Sequence, residues 1–227
     1  MDPVRIIRFD LAGFFCELAD IMEHLEIELK FYRPDLQPMR ERLMKLGAVC
    51  VIRKTFEHNV RYETEDGRLK KNRCLLRLRR DRKTTLTFKS PQPAADSRFK
   101  VHREREVEVD DFDAMDAILN ELGYCRRQVY QKWRETWRLG KTDVCMDTMP
   151  FGGFIEIEGS PDSIMRVVRD LDLGWRHRIL ASYLEMFATL REQEGLPFTD
   201  ATFDNFASVT ISFDRYRHLF EAGADDD

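Results

Sequence analysis

Charged and apolar residues alternate in the run EIELK at residues 26–30. In a β-strand, Glu26, Glu28 and Lys30 would project from one face of the sheet. Two carboxylates and an ammonium group in one row have the chemistry to hold a divalent cation together with the phosphate that it neutralises. The same alternation is also typical of the solvated face of an ordinary antiparallel sheet. Taken alone, the run leaves both interpretations open.

The same pattern recurs in other strand-like segments of the chain. Arginine or lysine occupies one parity of residues 75–79, 84–89 and 129–137, and glutamate occupies one parity of residues 101–109 and 154–158. The other parity is mainly apolar, apart from Arg103 and Arg105. Such strands fit a sheet or barrel that solvates its charges, but they also fit a wide barrel whose charges line a wet lumen. Alternation cannot separate the two, because it is symmetric between inside and outside.

Helices are predicted between some of these strands. Asp35 can cap a helix that ends at Gly47, and Asp111 can open a second one that ends at Gly123. A third helix is expected to begin at Pro161, because proline is favoured in the first turn. About eight strands separated by a few helices indicate an α+β fold.

Composition narrows the class of protein. The chain has 227 residues, of which 34% are charged, and its 37 basic and 41 acidic residues give a net charge of −4. This balance argues against a nucleic-acid partner held by a basic surface. The five cysteines form no C-x-x-C pair, which argues for a reducing compartment and against a zinc site. Since no apolar run is long enough to span a membrane, we expect a cytoplasmic protein without a membrane partner.

An ordered set of motifs resembles the CYTH superfamily, the triphosphate tunnel metalloenzymes. This superfamily includes class IV adenylyl cyclases, thiamine triphosphatases and inorganic triphosphatases. The matching segments are EIELK at 26–30, LLRLR at 75–79, LTFKSP at 86–91, REREVEV at 103–109, QKWRETW at 131–137 and FGGFIEIEG at 151–159. The resemblance covers roughly residues 22–190. It implies a closed antiparallel β-barrel of about eight strands, with the charges inside and helices packed on the outside.

The resemblance also implies roles for individual residues. The expected metal ligands are Glu26, Glu28, Asp147, Glu156 and Glu158, and the four glutamates among them are the expected catalytic residues. The expected phosphate-binding residues are Lys30, Arg77, Arg79, Lys89, Lys132 and Arg134. Arg53 and Arg61 share the parity of this set but match the motifs less well, and Glu104 and Glu106 would orient the basic residues. The expected cofactor is Mg²⁺ or Mn²⁺, which relieves repulsion between crowded carboxylates and bridges them to phosphate.

These assignments predict a metal-dependent hydrolase of inorganic tripolyphosphate, thiamine triphosphate or a nucleoside triphosphate. The first alternative is a class IV adenylyl cyclase that makes cyclic AMP and pyrophosphate from ATP. Cyclases of the family carry a His-Phe pair before the Glu-x-Glu-x-Lys run, where this chain has Asp20 and Ile21. The second alternative is a polyphosphate-binding module without turnover. Many hydrolases of the family have a lysine near the terminal helix, where this chain has Arg176, His177 and Arg178. A homodimer is left open.

The resemblance divides the chain into three parts. Residues 1–24 form an extension for which a helix is predicted, and Met22 is an alternative translation start. Residues 25–190 form the tunnel domain. Residues 191–227 are a predicted helical tail whose aromatic residues would pack on the domain or, alternatively, face a partner or membrane surface.

Three individual side chains have simpler interpretations. Trp133 and Trp137 are expected in the core beneath a helix, on the face opposite the charged row. Cys145 shares the parity of Asp147 and would face the tunnel. No nucleophilic role is expected for this thiol, because metal-assisted attack by water needs none.

Overall fold

Eight antiparallel strands close into a barrel, as predicted, in the order β1-β5-β4-β3-β2-β6-β7-β8. The structure, a computed structural model, describes residues 25–92 and 96–223. The strands are β1 (Leu25–Tyr32), β2 (Val49–Thr64), β3 (Leu75–Arg80), β4 (Thr84–Pro91), β5 (Lys100–Val109), β6 (Tyr124–Leu139), β7 (Thr142–Met149) and β8 (Gly152–Glu158). Pairing of β1 with both β5 and β8 closes the barrel.

Alternation along each strand separates the charged lumen from the apolar outer face. On β1, Leu29 and Phe31 are fully buried and belong to a core cluster that includes Ile164 of an external helix. Lys30, between them, instead forms ion pairs with Glu28 and Glu156. The apolar row therefore packs outward beneath helices, and the charged row faces inward.

Short helices cover parts of this outer face. They are α1 (Gln37–Lys45), α2 (Arg68–Lys71), α3 (Phe112–Glu121), α4 (Pro161–Asp170), α5 (Tyr183–Glu194) and α6 (Phe203–Phe206). The helix α4 buries Ile164, Val167 and Val168 against β1, β7 and β8. On the opposite side, α3 buries Phe112 and Leu119 against β2 and β3.

The predicted helix starts are close to the observed ones. Asp111 caps α3 and accepts from the backbone N–H groups of Asp113 and Ala114, and α4 begins at Pro161. Asp35 accepts from the N–H of Gln37, but Leu36 occupies the cap position. The four-residue α2 was not predicted, because it is too short to show a periodic apolar stripe.

The prediction for Trp133 was wrong, whereas that for Trp137 is confirmed. Trp137 is 6% exposed in the core cluster that also contains Leu43 of α1. Trp133 is 37% exposed and contacts Phe56 and Lys54 on the outer surface. Strand parity directed both rings outward, but it does not report which part of the outer face a helix covers.

The C-terminal segment packs back onto the barrel, yet it is less helical than the aromatic spacing predicts. After α5, the segment has the four-residue α6 and 3-10 helices at Phe213–Arg215 and Arg217–Leu219. Ala201 exchanges backbone hydrogen bonds with Val129 and Gln131 of β6. Phe213 is fully buried. The aromatic residues of the segment therefore pack into a core cluster with residues of the barrel and do not line one helix.

The predictions for residues 1–24, including Met22, lie outside the described residues, as do residues 93–95 and 224–227. Within the described ranges, none of the helices has the length and apolar character needed to span a bilayer.

Candidate functional site

Three carboxylates from the two strands that close the barrel converge in the lumen. Oxygen atoms of Glu26, Glu28 and Glu158 all lie within 4.8 Å of one another. Glu28 and Glu158 are direct register partners across β1 and β8, and Glu26 lies on the same face of β1. A set of hard carboxylate oxygens at this spacing suits Mg²⁺ or Mn²⁺.

The electrostatics of this cluster also fit a cation. Burial raises the pKa of Glu158 well above its usual range, and the negative charge of Glu156 raises it further, while Arg134 opposes both. Crowded carboxylates resist ionising together, and a divalent cation would remove that repulsion. The residues present therefore fit the expected metal.

Lysine side chains from three strands contact two of these carboxylates. The ammonium groups of Lys30 and Lys100 lie 2.6 and 2.5 Å from Glu28, and Lys89 pairs with Glu26. Burial and the charge of Glu156 act to raise the pKa of Glu28, but the nearby lysines outweigh them and hold it below its usual range. Glu28 thus stays ionised although it is only 3% exposed.

Asp147 and Glu156, the other two predicted metal ligands, lie outside the three-carboxylate cluster. Asp147 accepts hydrogen bonds from Lys132, Arg134 and the hydroxyl of Tyr183. Glu156 lies 2.5 Å from Arg134 and 2.8 Å from Lys30. Burial would lower the pKa of Arg134, but Asp147 and Glu156 raise it well above its usual value. Both carboxylates are therefore engaged by cations that face the lumen.

Arginines of β3 form the opposite wall. Arg77 donates to the Tyr130 hydroxyl and to Thr87, and lies 3.4 Å from Glu106 and 3.8 Å from Glu104. Glu104 also lies 3.2 Å from Lys89. Both glutamates therefore contact basic side chains of the lumen.

Arg79 shares the parity of Arg77 but pairs with a different carboxylate, and the two weaker matches differ from each other in exposure. Arg79 lies 3.1 Å from Asp81, at the end of its strand. Arg61 is half-buried and 3.7 Å from Glu63. Arg53 is exposed, in a stretch of β2 where residues of both parities are exposed and the pairing with β6 is irregular.

Three lumen residues were missed by the sequence interpretation. Glu57 lies opposite Lys132 in the register and is 4% exposed, and Lys100 precedes His102 on the charged parity of β5. Strand alternation could have predicted both, since Glu57 shares the parity of Arg61 and Lys100 shares the parity of Glu104. Tyr183 had none, because it reaches the lumen from α5, where its ring lies over the ammonium groups of Lys30 and Lys132 at 5.4 and 5.3 Å.

The pKa values of two buried groups are shifted in opposite directions by their surroundings. Burial acts to raise the pKa of Glu57, but the surrounding cations, Lys132 foremost, lower it to about 2. Cys145 is 3% exposed, and burial raises its pKa well above the usual thiol range. A protonated thiol is a poor nucleophile.

The fold is similar to that of several solved structures. A protein from Vibrio parahaemolyticus whose name includes the words adenylate cyclase is 18% identical, with a TM-score of 0.65 over 73% of this chain and 98% of its own. A protein from Pyrococcus horikoshii is 27% identical, with a TM-score of 0.60 over 73% of this chain and 99% of its own. A Hippeastrum protein described as having a dominant triphosphatase activity is 17% identical, with a TM-score of 0.52 over 73% of this chain and 95% of its own.

No curated protein matches the chain. The model of the CYTH domain matches residues 24–173, which include all eight strands of the barrel. The chain therefore belongs to the CYTH family.

Proposed function

We propose that this protein hydrolyses triphosphate-containing small molecules with the help of Mg²⁺ or Mn²⁺. The observation that supports this most directly is that one lumen contains both a three-carboxylate cluster and walls of arginine and lysine. Carboxylates suit the metal, and the cations suit the phosphates, so the two halves of a metal–triphosphate complex each have a matching surface.

Glu26, Glu28 and Glu158 would hold the metal. A bound Mg²⁺ or Mn²⁺ polarises phosphoryl oxygens and lowers the pKa of bound water. The lumen cations would neutralise and grip the phosphates; they are Lys30, Arg77, Arg79, Lys89, Lys132 and Arg134. Phosphoryl transfer depends mainly on positioning and on stabilising negative charge, which is what such a lumen supplies.

Asp147 and Glu156 would have a different role from the one that the motif implied. They hold Lys132, Arg134 and Lys30 through hydrogen bonds and ion pairs. We therefore assign them as residues that position the phosphate-binding cations. Tyr183 would assist, because its hydroxyl donates to Asp147.

Cyclisation of ATP is the second candidate, since it needs the same metal site and phosphate grip. The name of the Vibrio structure points in this direction and the description of the Hippeastrum structure points to hydrolysis. Cyclases of the family carry a His-Phe pair before the Glu-x-Glu-x-Lys run. Hydrolysis is preferred because this chain has Asp20 and Ile21 at that position.

One assay tests the proposal. The purified protein is incubated with tripolyphosphate, thiamine triphosphate or ATP, in Mg²⁺, Mn²⁺ or EDTA, and orthophosphate, pyrophosphate and cyclic AMP are measured. We expect metal-dependent release of orthophosphate. Cyclic AMP and pyrophosphate as the main products would identify a cyclase instead. Tight tripolyphosphate binding without any phosphate release would identify a binding module.

A further inference from the structure

A row of side chains crosses three neighbouring strands on the arginine wall. Asn59 of β2 is the register partner of Arg79 of β3, and Arg79 is in turn the partner of Thr85 of β4. Thr85 shares its parity with Thr87, and Asn59 shares its parity with Glu57, both of which contact lumen cations. Asn59 and Thr85 therefore face the lumen on either side of Arg79, as neutral residues within a charged wall.

Both neutral side chains are buried without partners. Asn59 is 0% exposed and Thr85 is 1% exposed. Within residues 25–92 and 96–223, neither the amide oxygen and nitrogen of Asn59 nor the hydroxyl of Thr85 has a hydrogen-bond partner. Buried polar groups in folded proteins are nearly always paired, so an unpaired one calls for an explanation.

Thr87 shows that the same strand can satisfy a lumen hydroxyl. It lies two residues beyond Thr85, is likewise buried, donates to Glu106 and accepts from Arg77. A lumen hydroxyl on β4 can therefore find protein partners, whereas those of Asn59 and Thr85 are lacking within the described part of the chain. The Nε atom of Arg77 is also buried without a partner among the described residues, which adds a third free donor on this wall.

Two unpaired neutral donors, the amide nitrogen of Asn59 and the hydroxyl of Thr85, lie on the same wall as the guanidinium groups of Arg77 and Arg79, and this set favours an anionic, oxygen-rich ligand. Phosphate oxygens accept hydrogen bonds from amide and hydroxyl groups, and neutral donors add such bonds without further repulsion between cations. We propose that Asn59 and Thr85 bind oxygens of the triphosphate chain, as the neutral part of the phosphate-binding wall. This inference deepens the proposed function and rests on it for the identity of the ligand.

The test compares Asn59→Leu and Thr85→Val, which keep the side-chain shape and remove the polar atoms. Thr84→Val is the matched control, because Thr84 is the adjacent buried threonine on the opposite face of β4. Binding of tripolyphosphate is measured by calorimetry in EDTA, where metal-dependent turnover is absent, and it is repeated with ATP. Thermal melting checks that each variant is folded.

Loss of a hydrogen bond to a charged ligand should weaken binding by about tenfold or more. We expect that loss for tripolyphosphate and ATP in both variants, and no change in Thr84→Val. If Asn59→Leu does not fold, Thr85→Val decides the result. Unchanged tripolyphosphate affinity in the folded variants would overturn the inference. A loss of affinity for ATP alone would also overturn it, because Asn59 and Thr85 would then contact the nucleoside and not the phosphates.

Failure of the proposed function gives a different result. A wild-type protein that binds tripolyphosphate in EDTA but releases no phosphate with either metal would refute hydrolysis and leave the binding role of Asn59 and Thr85 intact. A wild-type protein that binds no tripolyphosphate, either in EDTA or with Mn²⁺ present, would overturn both.

Discussion

Arg134 and Asp147 face each other across β6 and β7 and share two parallel hydrogen bonds. The distances are 2.7 Å from Nε to Oδ1 and 2.6 Å from Nη2 to Oδ2. Asp147 is fully buried and also accepts from Lys132 and Tyr183. One carboxylate therefore holds two cations and the α5 hydroxyl, so the position of both cations depends on it.

We expect Asp147→Asn to lower the free energy of unfolding by about 3–5 kcal/mol, because it leaves buried cations without their counter-charge. Asp143→Asn is the control. Asp143 makes the same two-bond contact with Arg138 on the same pair of strands, but at the exposed end. Denaturant unfolding at neutral pH measures both. Equal losses of unfolding free energy in the two variants would show that burial of the Arg134–Asp147 pair does not determine its contribution to stability.

Glu28→Gln and Glu158→Gln should abolish metal-dependent phosphate release while the barrel stays folded. Each removes a carboxylate charge from the group whose oxygens lie within 4.8 Å, and a neutral amide is a weaker ligand for a hard cation. Phosphate release is measured over a range of Mn²⁺ concentrations, with circular dichroism as the check on folding. Glu192→Gln, on an exposed face of α5, should keep full activity. Full turnover in EDTA would contradict the metal assignment.

Glu57 should make the protein sensitive to acid. Its pKa is about 2 in the folded protein against a usual 4.5, because nearby cations outweigh the effect of burial. Between these values the folded state binds fewer protons than the unfolded state, so the stabilisation is complete above pH 4.5 and is lost as the pH falls to about 2.

On this basis Glu57→Gln should cost on the order of 3 kcal/mol at pH 7 and little at pH 2. Urea unfolding of both proteins across that range gives the measurement. Stability curves that remain parallel down to pH 2 would rule out Glu57 as the source of the acid sensitivity.

Gly153 lies where β8 approaches the chain after β1. A Cβ atom there would lie 2.3 Å from the carbonyl oxygen of Arg33, which is backbone and cannot rotate away. Gly153→Ala should therefore lower the melting temperature more than Gly47→Ala, whose added Cβ meets nothing within 4 Å. Gly47 has φ of +78°, so its substitution costs about 1–2 kcal/mol from backbone strain alone. Equal melting temperatures of the two variants would disprove the close approach.

Phe213 should anchor the C-terminal segment. It is fully buried, and its ring centroid lies 4.9 Å from that of Tyr32 and 5.1 Å from that of Phe154. Phe213→Ala should destabilise the protein by about 3–5 kcal/mol, whereas Leu219→Ala, at a 51% exposed position nearby, should change little. Thermal unfolding distinguishes them. A small effect of Phe213→Ala would mean that the segment is not part of the cooperative fold.

Strand parity along the chain was enough to predict most of the lumen. Lys30, Arg77, Lys89, Lys132 and Arg134 lie on the charged face because a strand turns alternate side chains to opposite sides. Parity could not predict whether the charged face lines the lumen or lies on the outer surface, since the alternation is the same for both. The family motifs indicated the lumen. It also failed at Arg53, which is exposed in a stretch of β2 where the pairing with β6 is irregular.

Only the tertiary structure decided which charges meet. The register of β1 with β8 places Glu28 beside Glu158. The register of β6 with β7 places Asp147 beside Arg134, outside the carboxylate cluster. Tyr183 enters from a helix far along the chain, with no periodic signal to predict it. Contacts of this kind depend on strand register and on barrel closure, which join residues distant in sequence, whereas alternation is a property of neighbours along the chain.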